Sequence, residues 1–102
     1  MSSASKAFHP VRTALEAAGV RYASGGFGAS TAFGEPRFTN DVDILADFSM
    51  ESQDRFLCQL PPAFYADREY AQTALRLGRP FNVLYMPMVL NFDFFPAHAF
   101  PL

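Results

Sequence analysis

Asp41 and Asp43 stand two residues apart in Thr39-Asn40-Asp41-Val42-Asp43-Ile44-Leu45, a stretch that alternates polar and apolar side chains. Alternation at period 2 is the pattern of a half-buried strand, and residues i and i+2 of a strand share one face. Two carboxylates side by side repel, and a divalent cation is the commonest way a fold offsets that repulsion. Upstream, Gly25-Gly26 precedes a run of small residues that reads as a short helix. Without side chains there, backbone amides and a helix N-terminus can come close to phosphate oxygens. The combination points to metal-assisted phosphoryl chemistry on a nucleotide. A further acid, Asp93, lies in Asn91-Phe92-Asp93-Phe94-Phe95 and faces away from Phe92 and Phe94 if that run is a strand. An acid in so apolar a strand is costly unless it is paired or metal-bound.

These residues need elements to hold them. Val11, Ala14, Leu15 and Ala18 repeat at helical spacing, with Pro10 suited to the first turn and Gly19 to the stop. Val20 to Ser24 reads as a short strand ending in the glycine pair, 27–33 as a short helix, and Thr39 to Ala46 as the clearest strand. Ser49 is a good N-cap for a helix over Met50 to Leu60, stopped by Pro61-Pro62. Phe64 to Ala66 suits a short strand or extended link, and Asp67 caps a helix running to Leu77 with Gly78 as its end. Pro80 to Met86 and Met88 to Phe95 read as two strands of a hairpin. The predicted class is α/β in the α+β sense, a mixed sheet flanked by helices.

The bulk numbers narrow the function classes. A chain of 102 residues that is 50% hydrophobic, with 12 Phe, can pack one core without staples, and the expected organisation is a single domain over residues 1–102. A net charge of -2 and the lack of any Lys or Arg run predict no general electrostatic grip on nucleic acid. Cys58 has no partner for an internal disulfide and is expected to pack as a small apolar residue on a helix. No stretch has the length of a membrane span and Met1 to Lys6 lacks the apolar run of a signal peptide, so a cytoplasmic location and no membrane partner are expected.

The run Gly25-Gly26, Gly34, Arg37, Thr39, Asp41 and Asp43 resembles the nucleotidyltransferase superfamily with the polymerase-beta-like fold, and most of all small bacterial proteins similar to AbiEii-type toxins. The shared pattern is a Gly-Gly pair ending a strand, a short helix, an Arg-x-Thr-x-Asp-x-Asp strand, and a later strand with a third carboxylate, here Asp93. The resemblance spans roughly residues 9–96, and it is the combination that is specific. Residues 27 to 40, 14 positions, separate Gly26 from Asp41, which fits the toxin-like branch better than the minimal antitoxin branch. The resemblance implies a helical region after the third acid strand, and the domain over residues 1–102 is expected to lack it.

The resemblance implies a Mg²⁺-dependent transfer of a nucleoside monophosphate from NTP to a hydroxyl acceptor, and a toxin–antitoxin role. Asp41 and Asp43 would hold two Mg²⁺ ions, and Asp93 would complete one oxygen shell and accept the nucleophile's proton. Gly25 and Gly26 would cradle phosphate, Ser24 and Ser30 would add hydroxyl donors, and Arg37 with Thr39 would complete the nucleotide site, the guanidinium fork suiting a phosphate or one of the acids. The acceptor stays open between a tRNA end, a protein side chain and a small molecule.

Alone, each element has an ordinary reading: solvated acids near a strand end, a turn at the glycines, a surface arginine. Other motifs fail. Gly26-Phe27-Gly28 lacks the third glycine of a dinucleotide fingerprint, Lys6 is the sole lysine so no Walker lysine exists, and one Cys with two separated His disfavours zinc. A rival of another class is a catalytically inactive domain with the same fold that binds or regulates a protein partner. The apolar ending, Phe94 to Leu102, supports it, because such a terminus calls for a homodimer or protein partner to cover it, or for more chain beyond.

Overall fold

The computed structural model describes residues 3–24 and 41–97. Gly25, Gly26, Ser30, Arg37, Thr39, the expected helix over 27–33 and the apolar ending past Ala97 lie outside the described residues. In chain order the elements are α1 (Ser3–Ala17), β1 (Arg21–Ser24), β2 (Asp41–Asp47), α2 (Met50–Gln59), β3 (Phe64–Tyr65), α3 (Arg68–Leu77), β4 (Phe81–Tyr85), a 3-10 turn (Met86–Met88) and β5 (Leu90–Pro96). The strands form one mixed sheet in the order β1-β2-β5-β4-β3. Among the described strands only β2 and β5 are parallel; β1 with β2, β5 with β4, and β4 with β3 run antiparallel. The class is α+β, as the element pattern predicts.

The helices end where local chemistry ends them. Gly19 and Gly78 sit at φ 75 and 70, the left-handed region where a Cβ is penalised. Val20 N–H then reaches back to the Leu15 carbonyl and Arg79 N–H to the Ala74 carbonyl, closing the same six-residue cap on α1 and α3. Ser49 starts α2 with a capping box in which Ser52 takes the place usually held by Glu or Gln: Ser52 N–H donates to Ser49 Oγ at 3.0 Å, and Ser49 N–H to Ser52 Oγ at 2.8 Å. Asp67 caps α3 by accepting from Tyr70 N–H.

Pro10 departs from expectation, because α1 begins at Ser3 and places it inside the helix. Proline there removes one backbone hydrogen bond. The upstream turn persists because it packs: Ala7 is fully buried, and Phe8 stacks on Phe92 with ring centroids 6.1 Å apart.

Ala7, Val11, Ala14, Leu15 and Ala18 from α1, Phe56 from α2, and Ala71 and Ala74 from α3 meet Val42, Ile44, Ala46, Phe81, Val83, Phe92 and Phe94 in one core. Phe48, Phe56, Phe81 and Phe94 pack ring on ring, with centroids between 5.1 and 5.9 Å. The strand residues in this core are alternate ones, so the described helices cover one face of the sheet. Gln53 is the polar exception: it is fully buried, its Nε2 donates to the Ala71 carbonyl at 2.9 Å, and its Oε1 has no partner among the described residues. Cys58 is exposed rather than packed, because α2 turns Ser52, Gln53 and Phe56 inward and position 58 falls on the other side. The neighbouring Arg68 pairs with Asp54 and lies 3.5 Å from the Cys58 sulfur. No helix among the described residues is long and apolar enough to cross a membrane.

Candidate active site on the open sheet face

Along β2 the burial alternates, with Val42, Ile44 and Ala46 in the core and Asp41, Asp43 and Asp47 exposed. Along β5 Leu90, Phe92, Phe94 and Pro96 are buried while Asn91, Asp93 and Phe95 are half-buried. Both acid sets therefore emerge on the face away from the helices. The parallel register pairs Asp41 with Asn91 and Asp43 with Asp93. Adjacent strands lie about 4.8 Å apart, so Asp43 and Asp93 are immediate neighbours. On the other side of β5, Asn82 of β4 pairs with Asp93.

A hydrogen-bonded line joins these residues. Asn91 Nδ2 donates to Asp93 Oδ1 at 2.8 Å, and Asn82 Nδ2 donates to Asn91 Oδ1 at 2.9 Å. The order of donors follows from the carboxylate, which only accepts when ionised. It turns the Asn91 amino group toward itself, leaving the Asn91 oxygen for Asn82. Neither asparagine was among the residues singled out from sequence. Asn91-x-Asp93 carries the period-2 signal, but Asn82 joins only once the β4–β5 register is known.

Burial pushes the Asp93 carboxyl above its ordinary range, and the nearby charges of Asp41 and Asp43 push the same way, while the Asn91 hydrogen bond opposes them. No Lys or Arg among the described residues ion-pairs with Asp41, Asp43 or Asp93. These are hard oxygen donors of the type Mg²⁺ takes. As they stand, no three His, Cys, Asp or Glu side chains among the described residues form a group that could hold a metal ion. Ser24 ends β1 in register with Ile44 rather than with either aspartate of β2.

Beyond Asp93, on the β4 side, lies an open groove of about 360 Å³ lined by Tyr70, Pro80, Phe81, Asn82, Asp93 and Phe95. Compared with protein-family models, curated proteins and solved structures, the chain matches none.

Proposed function

We propose that the chain is a nucleotidyltransferase domain that moves a nucleoside monophosphate from NTP to a hydroxyl acceptor. The observation that carries this reading is the β2–β5 register, which sets Asp43 beside Asp93 and Asp41 one step along the same open face. Asp41, Asp43 and Asp93 are the residues that would hold Mg²⁺ with NTP. Bound there, the ions supply charge neutralisation along the triphosphate and a lower pKa for the attacking hydroxyl. The acceptor oxygen forms a bond to the α-phosphorus as the bond from that phosphorus to the bridging oxygen breaks, and pyrophosphate leaves with the electron pair. Asp93, held by the hydrogen bond from Asn91, takes the hydroxyl proton in this reading. In this reading Gly25, Gly26, Ser24, Ser30, Arg37 and Thr39 complete the nucleotide site. On the same reading the protein works in the cytoplasm, as one half of a toxin–antitoxin pair or beside a protein partner.

The second reading, an inactive domain that binds or regulates a protein partner, is favoured by one observation: the acids do not form a closed ligand group among the described residues. Calorimetry of Mg²⁺·ATP binding separates the two. The transferase reading requires binding that Asp41→Asn and Asp43→Asn abolish, together with pyrophosphate release. Identical binding by wild type and variants leaves only the second reading.

A further inference from the structure

Resting on the transferase reading, we infer that Asn91, braced by Asn82, is a positioning residue that makes the acid site select Mg²⁺ over Ca²⁺. Asp41, Asp43 and Asp93 share the face away from the described helices, and carboxylate oxygens are the donor set of either hard cation. The three differ in freedom. Asp41 and Asp43 are exposed, and exposed side chains change rotamer within nanoseconds. Asp93 is half-buried, and its Oδ1 accepts from Asn91 Nδ2 at 2.8 Å. Among the described residues the acids do not stand as one closed ligand group. Bringing them onto one cation takes rotation of the two exposed acids toward Asp93, the held member.

The hold has a direction. Asn91 lies two residues before Asp93 on the same face of β5, in the row of Asp41, so its amide draws the carboxylate along the strand toward that row. Asn91 is itself braced, because Asn82 Nδ2 donates to its Oδ1 at 2.9 Å from the neighbouring strand. Mg²⁺ demands near-ideal octahedral geometry, whereas Ca²⁺ takes more oxygens in a flexible shell and often both oxygens of one carboxylate. With Oδ1 engaged by the amide, Asp93 offers Oδ2 as its one oxygen without a donor among the described residues. That is one ligand in one direction. Chelation through both oxygens has to compete with Asn91 for Oδ1, and it strips a half-buried amide of its partner. The brace therefore opposes Ca²⁺ more than Mg²⁺.

The test is calorimetric titration of Mg²⁺ and, separately, of Ca²⁺ into the wild-type chain, Asn91→Ala, Asn82→Ala and Asp43→Asn, without nucleotide. Wild type is expected to prefer Mg²⁺. In Asn91→Ala the ratio of Mg²⁺ to Ca²⁺ affinity is expected to fall about tenfold, the low end of what losing a ligand's hydrogen-bond partner does to metal affinity. Asn82→Ala, at an exposed position of β4, is expected to shift the ratio the same way by about threefold. A residue that only supports the sheet weakens both cations alike and leaves the ratio unmoved. An unmoved ratio in Asn91→Ala therefore overturns the inference, as does a wild type that prefers Ca²⁺; if Asn91→Ala does not fold, Asn82→Ala decides alone. Binding of neither cation by wild type, or binding that Asp43→Asn leaves unchanged, sinks the transferase reading and the inference with it. Mg²⁺ binding that needs Asp43 but ignores the asparagines sinks the inference alone, so the two failures give different results.

Discussion

Asp43 of β2 and Asp93 of β5 are register partners in the one parallel ladder among the described strands. Strand pairing therefore sets two like charges side by side on the face away from the described helices. Opposed like charges weaken a sheet rather than hold it, so the pairing has to be stabilised by the core beneath it, where Val42, Ile44, Phe92 and Phe94 are buried.

The position of Asp93 sets a pH dependence. Its carboxyl is raised in the folded chain, so between the ordinary carboxylate value and the folded one the native state binds more protons than the unfolded state. Its contribution to stability is thus complete below about pH 4 and is lost as the pH climbs through that window. Asp93→Asn is expected to melt higher than wild type at pH 7, with the gap closing on acidification. Melting curves from pH 3 to 8 check this, and a gap independent of pH would contradict it.

Divalent cation should relieve the same repulsion. Mg²⁺ at a hundredfold excess over its dissociation constant stabilises a single-site protein by about 2.7 kcal/mol. The melting temperature of wild type is expected to rise with Mg²⁺, and that of Asp43→Asn to stay nearly level. Sodium chloride at matched ionic strength controls for screening; an equal rise with either salt would argue against a bound ion.

Gln53 buries an oxygen without a partner among the described residues. Methionine fills similar space without the orphan atom, and the Ala71 carbonyl that loses the Gln53 amide lies within α3, where helix geometry provides a backbone donor. Gln53→Met is expected to be neutral or to stabilise by about 1 kcal/mol, whereas Gln53→Ala leaves a cavity and costs about 2 kcal/mol. Urea midpoints distinguish these, and a large loss in Gln53→Met would show that the amide is indispensable.

Val89 follows the turn between β4 and β5 with φ 51, a left-handed conformation that a β-branched residue rarely adopts. It is 68% exposed, so little packing is lost on replacement. Val89→Asn is expected to raise stability by about 1 kcal/mol, since left-handed backbone costs an L-residue roughly that much and Asn tolerates it best after glycine. The denaturation midpoint reads this directly; a decrease would mean that Val89 packs against something that exposure alone does not reveal.

Much of the fold was legible because it is local. Ser49, Asp67 and Gly78 mark helix ends by their own chemistry, and the alternation of Asp41 to Ala46 and of Leu90 to Phe95 shows which side chains turn inward. Pro10 misled because a local rule met a tertiary one: the packing of Ala7 and Phe8 carries α1 through a residue that would otherwise start it. The Asn82 end of the Asn82–Asn91–Asp93 line was hidden for a different reason, since its nine-residue separation from Asn91 acquires meaning only through the β4–β5 pairing. The face bearing Asp41 and Asp43 could be read from period 2; Asp93 entered beside them only through the resemblance, because β2 and β5 are separated by two helices and two strands and local pattern carries no pairing.

Cys58 turns its exposure to experimental use. It is the chain's single cysteine and sits on α2, in the helical layer, with the sheet between it and the acids. A maleimide dye or nitroxide placed there attaches at one defined point without obstructing the opposite surface. Fluorescence or spin-label distance measurements can then test whether cations and nucleotides arrive at that surface on the unaltered sequence.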